Sequence, residues 1–342
     1  MSNQVFAPVL IPTLNRYDHF HDCLESLCNC TGSEKTDVYV ALDYPPSEKY
    51  VEGWKKIEAY LSEKEINNPF KSLNIYRRDH NYGLFSEKSN INVLLDDVSK
   101  NYDFMIISED DNVFSPNFLV YINKGLYKYK DDPSVFAICG YTQPYVFKYD
   151  INNYFRHNTD FSAWGYGMWT SKFNRFKEWE DNNGFQKSLS WNILKEMRKH
   201  GLNRLYQYLR FCFHYKGDYM PITDCMITCY MIINNMQAIY PSVTKVRNMG
   251  WDNTGNSFEN HPKKLKKYEE IANRHNFQMI DENNSFEYQG DEWSYYDYNN
   301  RLTAEVSEGR LTTWEFSYKI VSYFIKLLLK NLGVKSLLTK TK

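Results

Sequence analysis

The chain has 342 residues, enough for one large domain or two fused halves around a substantial core. Its 41 basic and 42 acidic residues leave a net charge of −1, which excludes the electrostatic footprint of a general nucleic-acid binder. With 42% hydrophobic and 24% charged residues it is neither disordered nor fibrous, and no uncharged apolar run reaches the ~20 residues of a membrane span.

Met1-Ser2-Asn3-Gln4 carries no basic n-region, and Val5–Pro12 is short and broken by proline, so no signal peptide is expected. Val9-Leu10-Ile11-Pro12 predicts a first strand. A helix follows from Asp18 to about Cys28, with Phe20, Cys23, Leu24 and Leu27 on one face. Val38–Leu42 predicts a second strand, stopped by Asp43-Tyr44-Pro45-Pro46 because proline cannot continue a ladder. A helix over Tyr50–Leu61, a strand over Leu73–Tyr76 and a helix from Ser86 to about Val98 come next, the last with only a weak capping box at Ser86-Glu87-Lys88-Ser89. Phe104-Met105-Ile106-Ile107 reads as a buried fourth strand. A helix near Pro116–Tyr129 and a strand over Val135–Cys139 complete an alternation typical of an α/β unit with a largely parallel sheet.

Beyond Tyr141 the segments lengthen and become richer in aromatics, as a substrate-facing half would. Ser190 to about Phe213 reads as mostly helical, Thr223–Asn234 as a further helix, and 282–300 as irregular, Tyr-rich surface. The seven cysteines sit at no metal-ligand spacing and predict buried free thiols in a reducing compartment. The 17% aromatic content suits surfaces that stack on sugars, and equally a biased genome.

The strongest chemical signal is Glu109-Asp110-Asp111 directly after the fourth strand. Three adjacent carboxylates repel one another unless a cation or donors compensate, and in open α/β sheets ligands bind beyond the carboxyl ends of the strands. Oxygen ligands beside a diphosphate suit Mg²⁺ or Mn²⁺; the plain alternative is a solvated acidic turn.

Ile107-Ser108-Glu109-Asp110-Asp111, Ser115-Pro116-Asn117-Phe118-Leu119 and Asp132-Pro133-Ser134 resemble the metal-binding strand and following helix of the N-acetylglucosaminyltransferase I family. Thr159-Asp160-Phe161-Ser162-Ala163-Trp164-Gly165-Tyr166-Gly167-Met168-Trp169 is similar to that family's glycine-containing acceptor loop. Asn15-Arg16-Tyr17 and Arg77–Leu84 resemble family 2 bacterial glycosyltransferases. Over roughly residues 5–260 the resemblance implies a GT-A fold: a Rossmann-like, mostly parallel central sheet flanked by helices, with an acceptor-binding second half. It implies a metal-dependent, inverting transfer from a UDP-sugar to a saccharide acceptor hydroxyl.

By position, the resemblance gives Arg16 a contact to the uracil and Asp43 a hydrogen bond to the uracil N–H. It makes Asp111 the protein ligand of Mn²⁺ (or Mg²⁺) and sets Glu109 and Asp110 against donor-sugar and ribose hydroxyls. Ordinary helix-entry and turn charges are the alternatives for Arg16 and Asp43. An inverting transfer needs a base. Asp224, in Pro221-Ile222-Thr223-Asp224-Cys225-Met226, is the candidate, with a helix N-cap role as its alternative and Asp218 as a competitor. Trp164 beside Gly165 is the first choice for a sugar platform, with Tyr166 and Trp169 nearby. Gly250 and Gly255 allow tight turns near a ligand, whereas His19, His21, His80, His157, His214 and His261 have no ligand spacing.

From Trp314 on, Trp314, Tyr318, Val321, Ile325, Leu328 and Leu332 follow helical spacing, and six lysines without an acid follow Tyr318. Such a basic amphipathic helix lies on anionic lipid, or docks on this protein's own body or a second subunit. The expected division is 1–140 for the nucleotide-sugar half, 141–300 for the acceptor half and 301–342 for the basic helix. The cellular expectation is a cytoplasmic enzyme of bacterial surface polysaccharide or O-antigen synthesis at the inner face of the plasma membrane, with an acceptor carried on a lipid. A sugar nucleotidyltransferase and a non-catalytic carbohydrate-binding protein are the rival readings.

Overall fold

The computed structural model describes residues 5–84, 88–143, 153–158, 160–213, 224–252, 254, 273, 275, 277–290, 293–294 and 311–331. Among them, strands β1 (Val9–Thr13), β2 (Asp37–Leu42), β3 (Ser72–Arg77), β4 (Phe104–Ile107), β6 (Val135–Cys139), β7 (Tyr154–His157), β8 (Tyr166–Trp169), β9 (Gln237–Pro241) and β11 (Trp293–Ser294) form a sheet of order β11-β7-β9-β6-β8-β4-β1-β2-β3. The half β4-β1-β2-β3 is parallel throughout. β8 runs antiparallel to both neighbours, β6–β9 and β11–β7 are parallel, and β7–β9 is antiparallel. The expected fold class, a mostly parallel α/β sheet flanked by helices, is the one observed. Residues on both sides of position 140 share this one sheet.

Period-2 alternation sends side chains to two cores, as a sheet covered on both faces requires. Val9, Ile11, Val38, Val40 and Ile106 point to one face, covered by α1 (Tyr17–Cys28), α2 (Val51–Ile66) and α4 (Phe118–Lys128). Leu10, Ala41, Met105 and Ile107 point to the other, under α3 (Asn90–Val98), α5 (Thr170–Asp181), α6 (Gly184–Ser188), α7 (Trp191–Lys199), α8 (Leu202–Cys212) and α9 (Asp224–Ile233). Five of the seven cysteines are buried and all are unpaired with each other.

Pro12 lies in a central strand, where a missing N–H ordinarily breaks a ladder. Pairing with β4 stops at Leu10 and Ile107, so Pro12 falls where β1 has lost that neighbour while its pairing with β2 continues. β1 is also the point where strand order reverses. The chain leaving β4 is thus free at the switch point where α/β sheets bind ligands.

One expectation needs correction. The helix predicted from Ser86 begins at Asn90, Ser86 itself lying outside the described residues. The mostly helical stretch expected over 190–213 is present as two helices, α7 and α8, parted at Gly201, which takes a left-handed φ of 103°.

The last helix, α10 (Thr313–Asn331), starts with a capping box: Glu315 N–H donates to Thr312 Oγ1 (3.2 Å), and Thr312 N–H donates to Glu315 Oε2 (2.8 Å). It packs on α8, where the Tyr323 hydroxyl donates to the carbonyls of Phe213 and Arg210 and the Phe324 ring meets Phe213 at 5.4 Å. Among the described residues no helix is long and apolar enough to cross a membrane.

Candidate active site

The acidic triplet leaves β4 and leads into β5 (Asn112–Phe114), which pairs antiparallel with β10 (Val246–Asn248) in a separate two-stranded sheet. That small sheet lays residues 248–250 over the triplet. The Met249 N–H donates to the Asp111 carbonyl (2.8 Å), and Asn248 Nδ2 donates to Asp111 Oδ1 (2.7 Å). Gly250 sits so close that a Cβ there would lie 2.2 Å from Asp111 Oδ2. A histidine from α1 ties down the same loop, His19 Nε2 meeting Asp252 Oδ2 at 2.8 Å.

Arg16, at the entrance to α1, grips both aspartates. One guanidinium nitrogen contacts Asp111 Oδ2 (2.8 Å) and another pairs with Asp110, which also accepts from the Thr13 hydroxyl (2.9 Å). Burial opposes the charge on Arg16, but Asp110 and Asp111 outweigh it and hold the guanidinium firmly protonated. The carboxyl of Asp110 is nonetheless raised, since desolvation and Asp111 outweigh the help from Arg16. Glu109 alone of the three is exposed. Its carboxyl is pushed up to about 8, first by the surrounding protein, then by Asp111 and Asp110. One guanidinium thus faces two of the three carboxylates.

Asp43 ends β2 with its carboxylate buried. It accepts from the N–H groups of Tyr44, Tyr82 and Gly83 (2.9 Å each) and from Asn81 Nδ2 (3.2 Å), fastening the loop Asn81–Gly83 above the strand ends. Asp224 is the first residue of α9 and is exposed, with Oδ1 accepting from the Cys225 N–H (2.7 Å). Its charge reaches the triplet, contributing to the raised carboxyl of Glu109. It also reaches Asp160, whose carboxyl rises to about 6 mainly through desolvation, with Asp224 adding and Arg204 opposing. Arg204, from α8, lies 3.6 Å from Asp160. The structure thus pairs Arg204 with Asp160, with Asp224 in electrostatic reach of Asp160 and of Glu109.

Trp164 is half-buried in an aromatic cluster, edge-on to Tyr141 (4.6 Å), Trp251 (6.0 Å) and His275 (5.8 Å), with His275 stacked on Trp251 (4.3 Å). Gly165 has φ of 66°, and a Cβ there would lie 2.9 Å from Val246, so its glycine serves the turn into β8. Tyr166 and Trp169 belong to β8 and to the two cores, not to a platform. Asp218, Gly255 and His261 lie outside the described residues. Asp160, Arg204, Asn248 and His19 are the members that sequence reasoning missed. For Asp160 a signal existed: it is an acid inside the glycine-containing loop. A cavity of about 460 Å³ lined by Tyr102, Asp103, Trp169 and Asn174 lies at the opposite end of β4 and is not part of this arrangement.

Whether a divalent ion suits the site is a question of donors and charge. Among the described residues no three His, Cys, Asp or Glu side chains converge as a ready-made cage. Mg²⁺ and Mn²⁺ bridging a diphosphate need no such cage, since one or two carboxylates suffice when phosphates and water complete the shell. Asp111, with two further acids beside it in sequence and its Oδ2 facing Arg16, fits that mode. Asp111 is only 5% exposed and Arg16 lies against its Oδ2, so a divalent ion held by Asp111 would have to compete with that guanidinium.

No protein-family profile and no curated protein matches the chain. Among solved structures it is similar to S. aureus TarS at 16% identity, over 50% of this chain and 29% of that one, with a TM-score of 0.33. It is similar to S. aureus TarS 1-349 at 14% identity, over 81% of this chain and 67% of that one, with a TM-score of 0.38. It is also similar to the mannosyltransferase PcManGT from Pyrobaculum calidifontis, in complex with GDP-Man and Mn²⁺, at 11% identity over 68% and 70% of the two chains, with a TM-score of 0.38. The chain spans less than a third of the length of the first of these. At such similarity the function is argued from the site itself.

Proposed function

We propose that this chain is a GT-A-type glycosyltransferase that moves a sugar from a UDP-sugar to a saccharide hydroxyl with inversion. The observation that carries the reading is the acidic triplet where the chain leaves β4 at the switch point of the sheet, gripped by Arg16 and overlaid by Asn248 and Gly250. Arg16 and Asp43 serve the nucleotide side, Arg16 through its charge and Asp43 by fixing the Asn81–Gly83 loop. Asp111 is the residue that would hold Mn²⁺ or Mg²⁺, which when bound neutralises charge on the leaving diphosphate. Glu109 and Asp110 face the ribose and donor-sugar hydroxyls as acceptors. Asp224 takes the proton of the acceptor hydroxyl as its oxygen bonds to the anomeric carbon and the bond to the diphosphate breaks. Trp164 offers a ring face on the acceptor side. The division of labour is 1–140 for the donor and 141–300 for the acceptor, and the setting is bacterial surface polysaccharide or O-antigen synthesis.

The test is a screen of UDP-sugars for Mn²⁺-stimulated hydrolysis or transfer, paired with titration calorimetry of UDP with and without Mn²⁺. Asp111→Ala is expected to abolish metal-dependent UDP binding. Asp224→Asn is expected to keep that binding and lower transfer about 100-fold or more. A protein that binds glycans without nucleotide or metal, and is indifferent to both substitutions, is a lectin, and the proposal fails.

A further inference from the structure

The N-terminal end of α1 reaches the acidic triplet in two ways. Arg16 and His19 stand three residues apart, a spacing that sets side chains on one face of a helical turn. Arg16 grips Asp110 and Asp111 directly. His19 reaches the loop laid over the same carboxylates: its Nε2 donates to Asp252 Oδ2 at 2.8 Å and lies 3.3 Å from Thr254 Oγ1. His19 and Asp252 are 233 positions apart, so only the closed fold makes this contact.

Asp252 is prepared to receive it. Its Oδ1 accepts from the Thr254 N–H (3.0 Å) and the Thr254 hydroxyl (2.6 Å), which closes a local turn and leaves Oδ2 to His19. Nearer β10 the loop folds on itself and on the triplet. The Gly250 N–H donates to Asn248 Oδ1 (3.1 Å), while Asn248 Nδ2 and the Met249 N–H hold Asp111. On the other flank Trp251 stacks on His275. Loop 248–252 is thus pinned on Asp111 at its root, on the aromatic cluster at Trp251, and on α1 at Asp252. The last pin is the one on the Arg16 side. Because the Gly250 backbone lies against Asp111 Oδ2, a shift of this loop changes the packing of that carboxylate directly.

We propose that His19 is a positioning residue: through Asp252 it holds loop 248–252 against Asp111 and keeps that carboxylate oriented for a divalent ion beside a diphosphate. The inference rests on the glycosyl-transfer reading above and adds to it a residue that acts through another side chain. An ion arriving at Asp111 competes with Arg16 for Oδ2. Where the guanidinium yields, Asn248 and the loop behind it keep the carboxylate in place. With His19 engaged that loop is already ordered; without it, part of the ion's binding free energy goes into ordering the loop.

The experiment is titration calorimetry of the full chain with UDP, in Mn²⁺ and in EDTA, on wild type, H19A, H19Q, D252A and H19A/D252A. The two side chains are 18% and 39% exposed, which sets the size of the effect. In Mn²⁺, H19A is expected to bind UDP about fivefold more weakly, as fits one partly exposed pair. In EDTA its UDP affinity is expected to match wild type, and so is its melting temperature. H19Q carries an amide N–H on a similar reach and is expected to recover to within about twofold of wild type. D252A is expected to lose at least as much as H19A, and adding H19A to it to change nothing further. The proposal is overturned by wild-type affinity of H19A in Mn²⁺, by equal losses in Mn²⁺ and EDTA, by failure of H19Q to recover, or by additive losses in the double variant. Metal-dependent UDP binding that ignores position 19 removes this inference alone. A wild type that binds no UDP removes the glycosyl-transfer reading and this inference with it.

Discussion

The carboxylate of Asp111 is wedged between Arg16, Asn248 and the Cα of Gly250, and each neighbour does a different thing to it. Arg16 supplies charge, Asn248 orients one oxygen, and Gly250 is absent enough to leave room for the other. Any Cβ at position 250 must displace the carboxylate, since the atoms would stand 2.2 Å apart. Gly250→Ala is therefore expected to weaken Mn²⁺-dependent UDP binding at least tenfold while the protein still folds. Calorimetry with and without metal checks this; wild-type affinity in the variant would mean that Asp111 does not need its present place. Asp43 shows the reverse economy, for its carboxylate is filled by its own chain and shapes a loop.

At the scale of elements, β8 is the hinge of the design. It is antiparallel between β4 and β6, and its Gly167 faces α4 so closely that a Cβ would stand 2.4 Å from Ile122 Cγ2 and 3.1 Å from Leu126 Cδ1. Both leucine and isoleucine are buried and cannot swing away. Gly167→Ala is expected to destabilise the fold by about 1–3 kcal/mol through overpacking, read from urea denaturation. Stability at or above wild type would show that α4 shifts freely on the sheet. Helix α10 teaches the same lesson about neighbours: its capping box starts it, but only α8 decides which of its two apolar faces is covered.

For the whole molecule, the segment joining β7 to the aromatic loop sets an acid-side balance. His157 is buried and its ring is held neutral down to about 3, chiefly by desolvation and then by Arg204 and His200. Between that value and its ordinary 6.5 the unfolded chain binds the extra proton, so stability falls as pH falls, by up to ~1.4 kcal/mol per pH unit. Asp160 works with the opposite sign. Its carboxyl is raised from 3.8 to about 6, so its contribution is complete below 3.8 and is lost as pH rises through 6. The two oppose each other between about pH 4 and 6. Asp160→Asn removes the opposition, and its melting temperature is expected to drop more steeply than wild type from pH 6 to pH 4. Parallel curves for the two proteins would contradict this.

The alternation of short apolar runs with amphipathic helices was enough to read the α/β class, the first four strands and the acidic triplet, because those signals are local: period 2, period 3.6, and three acids where a strand stops. The same locality made the outer stripe of α10 visible and Gly201 easy to pass over, since a left-handed residue inside a helical pattern costs little in pattern and breaks the helix in space. What no local pattern held was partnership across the chain. Asn248 meets Asp111 from 137 positions away, Arg204 reaches Asp160 from α8, and Tyr166 and Trp169 turn inward because β4 and β6 enclose them. Composition and periodicity specify which residues seek burial or a counter-charge; only the closed sheet, with β10 folded back on β5, decides which of them meet.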